Sequence, residues 1–275
     1  MILSDLHIDA AAGEGDTCIA VLRCDGFVAA AAPGAEEEER GVDGDGDVDG
    51  DLDPPRKRRR AIAVRVEHAL ATPLADVGLQ IWRGALLVAD ELARDVRLPS
   101  RRVAELGAGT GAAALAAAAL GARSALATDG CAAAVSLAAR NAARNGACVE
   151  TALLDWGAYA ADGGARDALG DADLLIAADC VYDDDATEAL FDAFDAALAR
   201  NPRRVLLLAL EMRFNFELES LSVRAHGYRT LRRRLDALDA VRLPLPPRVW
   251  HYDRGDEAAL ELWRVSKRDP GKRPD

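Results

Sequence analysis

Three observations predict an α/β fold: a seven-stranded, mostly parallel sheet with helices on both faces, closed by a C-terminal antiparallel hairpin. The first is residues 101–111, RRVAELGAGTG, where a short apolar strand runs into glycines at every second position and an Ala-rich helix follows over 112–120. The second is the alternation of continuous apolar runs with helical segments, the way strands of a parallel sheet buried on both faces read. The third is a pair of apolar segments, 241–245 and 259–265, flanking a turn at 252–256; these should pair antiparallel and complete the sheet.

At 275 residues the chain holds one full α/β core and some extra. Residues 1–60 contain 15 acids and 7 bases, and the rest 31 and 27, so the net charge of −12 divides into −8 and −4. The acidity belongs mainly to the N-terminal segment, and the remainder lacks the broad basic face of a direct nucleic-acid binder. Residues 1–60 read as a largely disordered segment, 61–267 as the folded domain, and 268–275 as a tail. Residues 34–53 carry a Glu run and repeated Asp-Gly pairs without apolar residues to offset ordering entropy. The DxDGD pattern at 43–51 is no calcium loop, because no glutamate closes it at the twelfth position. PPRKRRR at 54–60 reads as a nuclear import signal in preference to a nucleic-acid contact or a solvated charge run. The five cysteines form no CxxC pair and no histidine stands at metal spacing, so reduced thiols and no metal site are expected. No segment reads as a signal peptide or a membrane span, so no membrane association is expected.

In the folded part, residues 61–69 should form a strand. Apolar positions 81, 85, 88, 92 and 96 repeat at helical spacing across 79–97, with Trp82 one position off the stripe. After the glycine turn come strands at 125–129, 149–154, 173–178 and 205–210, with helices at 132–144, 186–199 and 221–238.

Ligands of an open α/β sheet sit outside the carboxyl ends of its strands. Gly107, Gly109 and Gly111 permit a tight turn with positive φ, and the helix behind them offers free N–H groups. Gly107, Gly109 and Ala112 also satisfy the dinucleotide fingerprint, so the turn indicates a nucleoside cofactor without saying which, and a nicotinamide-dependent oxidoreductase stays open here. Asp129 stands 22 residues after Gly107, where a carboxylate accepts from ribose hydroxyls, with a helix cap as the alternative. Asp155 can accept from an adenine amino group and Trp156 can cover the ring, unless that indole is simply core. Asp179 and Tyr182 follow the fourth strand, nearest the reacting centre. DCVY lacks the Pro-Pro-aromatic sequence of enzymes that methylate nucleic-acid amino groups. Asp183, Asp184 and Asp185 either attract substrate or start a helix, with Asp185 as cap and Glu188 as its box partner.

The blocks VGLQIWRGALLVAD, ELGAGTG, ATD, LLDW and ADCVYDDD, in this order over residues 61–267, resemble the seven-β-strand protein-lysine methyltransferases of the methyltransferase-like group. The resemblance implies a Rossmann-like sheet, S-adenosyl-L-methionine as cofactor, and contacts to it from Trp82, Gly107, Ala108, Gly109, Asp129, Trp156 and Ala178. It places Asp179 and Tyr182, an Asp-x-x-Tyr motif, beside a lysine channel, where Asp179 would capture the ammonium and Tyr182 wall the channel. It also implies a nuclear setting and a protein substrate presenting a lysine, itself a nucleic-acid binder. PPRKRRR adds an import receptor as partner. A histidine or small-molecule acceptor remains open, as does a non-catalytic scaffold, although a scaffold has no chemical need for Gly107, Gly109, Asp129 and Asp179 together.

Overall fold

A computed structural model describes residues 2–3, 10–11, 17–27, 60–163, 168–213, 215–217, 222–225 and 227–268. The acidic run at 34–53, nearly all of PPRKRRR and the tail beyond 268 lie outside the described residues.

The central sheet has seven strands: β1 (Arg102–Leu106), β2 (Ser124–Asp129), β3 (Val149–Leu153), β4 (Leu174–Ala178), β5 (Val205–Glu211), β6 (Asp239–Leu243) and β7 (Leu260–Ser266). Their order is β6-β7-β5-β4-β1-β2-β3. β1 to β5 pair parallel, and β7 inserts antiparallel between β5 and β6. The order reverses at β1, which has β4 on one side and β2 on the other, so the crevice at its carboxyl end is the natural ligand site.

Helices α1 (Arg83–Leu92), α2 (Ala112–Ala119), α3 (Ala132–Asn145), α4 (Trp156–Ala161), α5 (Asp184–Arg200) and α6 (Tyr228–Asp236) complete the fold. Side chains alternate across the strands, so β1, β4 and β5 feed two separate cores. Val103, Ile176 and Leu207 pack with Leu86, Leu87 and Leu115 of α1 and α2. Leu106, Leu175 and Leu208 pack with Phe191, Phe194 and Leu231 of α5 and α6. Helices therefore cover both faces, as expected.

Several boundaries differ from the sequence reading. α1 is shorter than the apolar stripe suggests: it starts after Trp82 in extended conformation, behind a 3-10 turn at Leu74–Leu79. It ends at Leu92, and Asp95 then accepts the Arg97 N–H in a local turn, leaving Val96 83% exposed. The helix expected over 221–238 begins only at Tyr228, behind Gly227 at φ 73, and Ser222–Arg224 pairs instead with Asn215–Glu217. β6 stops at Leu243 because Pro244 has no N–H for the ladder.

The folded unit also reaches further back than the boundary expected at Ala61. Thr17–Phe27 pairs antiparallel with Arg60–Ala69, and its alternate residues Ala20, Leu22 and Cys24 are buried in the same core as Val64, Val66 and Trp250. Alone this strand has too little apolar surface to fold; the neighbouring strand and the α2 side of the core supply the rest.

Candidate active site

A cavity of about 620 Å³ opens at the carboxyl ends of β1, β2 and β4, a size suited to a nucleoside cofactor. Its floor is the glycine turn. Gly107, Gly109 and Gly111 all have positive φ, at 69°, 54° and 77°. A Cβ on Gly107 would lie 2.8 Å from Cys180 Sγ and 2.9 Å from the Trp156 ring, so only glycine fits between them. Gly111 is the N-cap of α2 and makes the close approach to α3 at Ala138.

Asp129 lines the cavity, and both of its carboxylate oxygens accept main-chain N–H groups. Its Oδ2 accepts the Gly109 N–H at 2.9 Å and its Oδ1 accepts the Cys131 N–H at 2.8 Å, where α3 begins. Each carboxylate oxygen keeps a second lone pair for a ribose hydroxyl. Asp155 also lines the cavity, but its Oδ1 accepts the Ala158 N–H at 2.7 Å as the N-cap of α4. Trp156 is half-buried against Gly107, and its indole Nε1 is buried without a hydrogen-bond partner. Ala108 and Ala178 complete that side. Opposite, Trp82 is fixed by donating its Nε1–H to Val77 O at 2.9 Å.

Asp179 adopts φ 54, a left-handed conformation costly for a non-glycine residue. Its side chain explains the exception. Oδ2 accepts the Gly84 N–H at 2.5 Å and Oδ1 the Glu211 N–H at 2.8 Å, tying the start of α1 and the end of β5 to the end of β4. The approach requires glycine at 84, since a Cβ there would sit 2.6 Å from Oδ2. Burial raises the Asp179 pKa above the ordinary carboxylate value, against the opposing charge of Arg213 and the two N–H bonds. Tyr182 stands at the rim, 47% exposed.

The acids after Tyr182 do not divide as expected. α5 starts two residues earlier, so its cap is Asp183, which accepts the Ala186 N–H at 2.9 Å, and not Asp185. Glu188 closes no box; it faces α6 and pairs with Arg233 and Arg234. Asp184 accepts from the Thr230 hydroxyl at 2.7 Å, leaving Asp185 exposed.

Three cavity residues were not singled out from sequence. Glu105, on β1, is 1% exposed and accepts the Ala114 N–H of α2 at 2.8 Å. Burial, reinforced by the charge of Asp129, pushes its pKa up to about 8, so the carboxyl is mostly protonated at neutral pH. Its signal was a carboxylate inside an otherwise apolar strand interior. Glu211 bridges Arg83 at 2.8 Å and Arg213 at 3.2 Å, and the Arg213 guanidinium stacks 4.0 Å above the Trp82 ring. Among the described residues no group of three or more His, Cys, Asp or Glu is placed to hold a metal.

The family model for lysine methyltransferases matches residues 68–223, more than half of the chain and all of the strands that carry this cavity. The chain belongs to the lysine methyltransferase family. It is 34% identical over 234 residues to methyltransferase-like protein 22 of Mus musculus, covering 74% of this chain and 58% of the relative. The Homo sapiens protein of the same name is 34% identical over 233 residues, covering 74% and 57%. The chain thus aligns with somewhat over half the length of these curated relatives. Among solved structures, SMU.776 complexed with SAH is similar at a TM-score of 0.50 and 16% identity, covering 74% of this chain and 53% of that one. Magnesium protoporphyrin IX methyltransferase from Synechocystis PCC 6803 with bound SAH is similar at 0.46 and 17%, covering 72% and 89%.

S-adenosylmethionine is the methyl donor of the family, and the cavity fits it. Main chain at Gly107, Ala108 and Gly109 lines the cavity, Asp129 keeps acceptors for the ribose, and Trp156 offers an unpaired donor beside a flat ring. The group supplies an electrophilic methyl on a sulfonium; the protein supplies the rest.

Proposed function

We propose that this chain transfers a methyl group from S-adenosyl-L-methionine to a lysine ε-amine of a protein. The observation that carries the reading is the meeting, in one cavity of a lysine methyltransferase family member, of the glycine turn, Asp129 and the Asp179-x-x-Tyr182 motif at the end of β4.

A free lysine has a pKa near ~10.4, so presenting it as neutral amine at pH 7.4 costs roughly 4 kcal/mol. Asp179 does not remove that proton. An anion there favours the ammonium, and each of its oxygens already accepts one main-chain N–H. Its task is to hold α1 and β5 around the acceptor channel and to offer its remaining lone pairs to the amine for orientation. Tyr182, at the exposed rim, walls the channel and faces an incoming cation with its ring, a contact of about 0.5–2 kcal/mol. The proton leaves to water at that rim. Mass spectrometry of methyl-lysine in cells with and without this protein tests the proposal: at least one methyl-lysine should disappear, and an unchanged set would count against it.

The proposal extends to location. PPRKRRR supports a nuclear protein carried by an import receptor, and the resemblance to the family supports a protein substrate that binds nucleic acid. The modest charge of residues 61–275 speaks against this chain binding nucleic acid directly, and among the described residues no helix is long and apolar enough to cross a membrane. Replacing Arg58, Arg59 and Arg60 with alanine is expected to shift a fluorescent fusion to the cytoplasm. An unchanged nuclear fraction would remove this part of the reading.

A further inference from the structure

Asn141, on α3, is fully buried at 0% exposure and uses its amide on two distant segments. Its Oδ1 accepts the Glu67 N–H at 2.7 Å, and its Nδ2 donates to Glu67 O at 3.0 Å. The other Nδ2 hydrogen goes to Thr110 O, also at 3.0 Å, within the glycine turn. Both donors of the amide are therefore committed.

One helical turn on, Asn145 repeats half of this arrangement. It accepts the Arg65 N–H at 2.8 Å and donates to Arg65 O at 2.7 Å, but its second hydrogen goes back to Asn141 O at 2.8 Å. The two asparagines, four residues apart on one helix face, thus bracket the strand Arg60–Ala69 as a neighbouring strand would. Only Asn141 reaches the turn.

That difference has a mechanical meaning. Thr110 lies between Gly109 and Gly111, and three glycines at positive φ make this turn conformationally permissive. On one side the turn is held by Asp129, which accepts the Gly109 N–H. On the other it is held through the Thr110 carbonyl by Asn141. The same strand that Asn141 grips at Glu67 continues through Ala71–Thr72 into the Leu74–Leu79 turn, where Gly78 packs on Gly109. Asn141 is the point where the glycine turn, α3 and the N-terminal strand are joined.

We propose that Asn141 is a positioning residue for S-adenosylmethionine: by fixing the Thr110 carbonyl it sets the glycine-turn peptides in the conformation that receives the nucleoside. The proposal rests on the assignment of this cavity to the cofactor. Asn145 provides an internal control, being equivalent toward the strand and silent toward the turn.

The test compares Asn141→Ala with Asn145→Ala in the full chain by thermal melting, calorimetric titration with S-adenosylmethionine, and hydrogen exchange of the cofactor-free protein. Both variants should melt earlier. Only Asn141→Ala should weaken cofactor binding, by about tenfold, the size of one lost hydrogen bond, and speed exchange at residues 107–111. In turnover its KM for the cofactor should rise more than kcat falls. If Asn141→Ala does not fold, Asn141→Asp, which keeps the acceptor for Glu67 and loses both donors, is compared with Asn145→Asp. Equal weakening by both positions, or unchanged affinity in the Asn141 variant, would overturn the proposal. No binding by the unaltered protein would overturn the cofactor assignment and this inference with it.

Discussion

Gly109→Val is expected to abolish binding of S-adenosylmethionine while the sheet still folds. Valine at φ 54 occupies a left-handed conformation that costs an L-residue roughly 1–2 kcal/mol. The larger effect is steric. A Cβ at this position would lie 2.4 Å from the Gly78 carbonyl oxygen, a main-chain atom that cannot rotate aside. What the added side chain meets is thus protein main chain and not the cofactor's own space. Relief of the clash must push the Leu74–Leu79 turn outward, and Val77 O, which holds the Trp82 indole, moves with it. The variant should keep its far-UV circular dichroism and lose calorimetric binding. Wild-type affinity would mean that the turn does not bear the cofactor.

Asp179→Asn is expected to lower both activity and stability. Asparagine keeps the shape but has one acceptor oxygen where aspartate has two. Whichever way the amide turns, its NH₂ faces a donor, either the Gly84 or the Glu211 N–H. An unpaired buried donor costs about 1–3 kcal/mol, and for a domain of this size each kcal/mol lowers Tm by roughly 2–4 °C. Turnover should fall further than binding, because α1 and β5 lose their common anchor at the cavity. Tyr182→Ala separates the two effects: it removes the ring at the exposed rim, so it should lower turnover and leave Tm nearly unchanged. An Asp179→Asn protein with unaltered Tm and turnover would show that the two N–H bonds hold nothing of consequence.

The parts of the molecule legible in sequence are those written in short spans. The strand, three glycines and helix of residues 101–120 specify their own turn, and Asp129 follows at the end of the very next strand. The C-terminal hairpin was visible because β6 and β7 are both apolar and separated by turn residues. The illegible parts depend on distant partners. Asn141 reads as an ordinary polar residue of an Ala-rich helix until Glu67, 74 residues away, and Thr110, 31 away, are placed around it. Asp90 is similar: its carboxylate is buried at 0% exposure beneath Trp250, Tyr252 and Arg254, which it binds together, and nothing near it in the chain announces that. Helix starts went astray for the opposite reason. Several acids lay side by side at 183–185, any of which has the chemistry of a cap, and only the main chain decides that Asp183 does it.

The central claim, methyl transfer to lysine, is tested most directly by incubating the purified protein with methyl-labelled S-adenosylmethionine and a lysate from cells lacking it, then hydrolysing the proteins to amino acids. The label is expected in methyl-lysine, strongly reduced with Asp179→Asn and absent with Gly109→Val. Label in methyl-histidine, or in the small-molecule fraction with none in protein, would contradict the account.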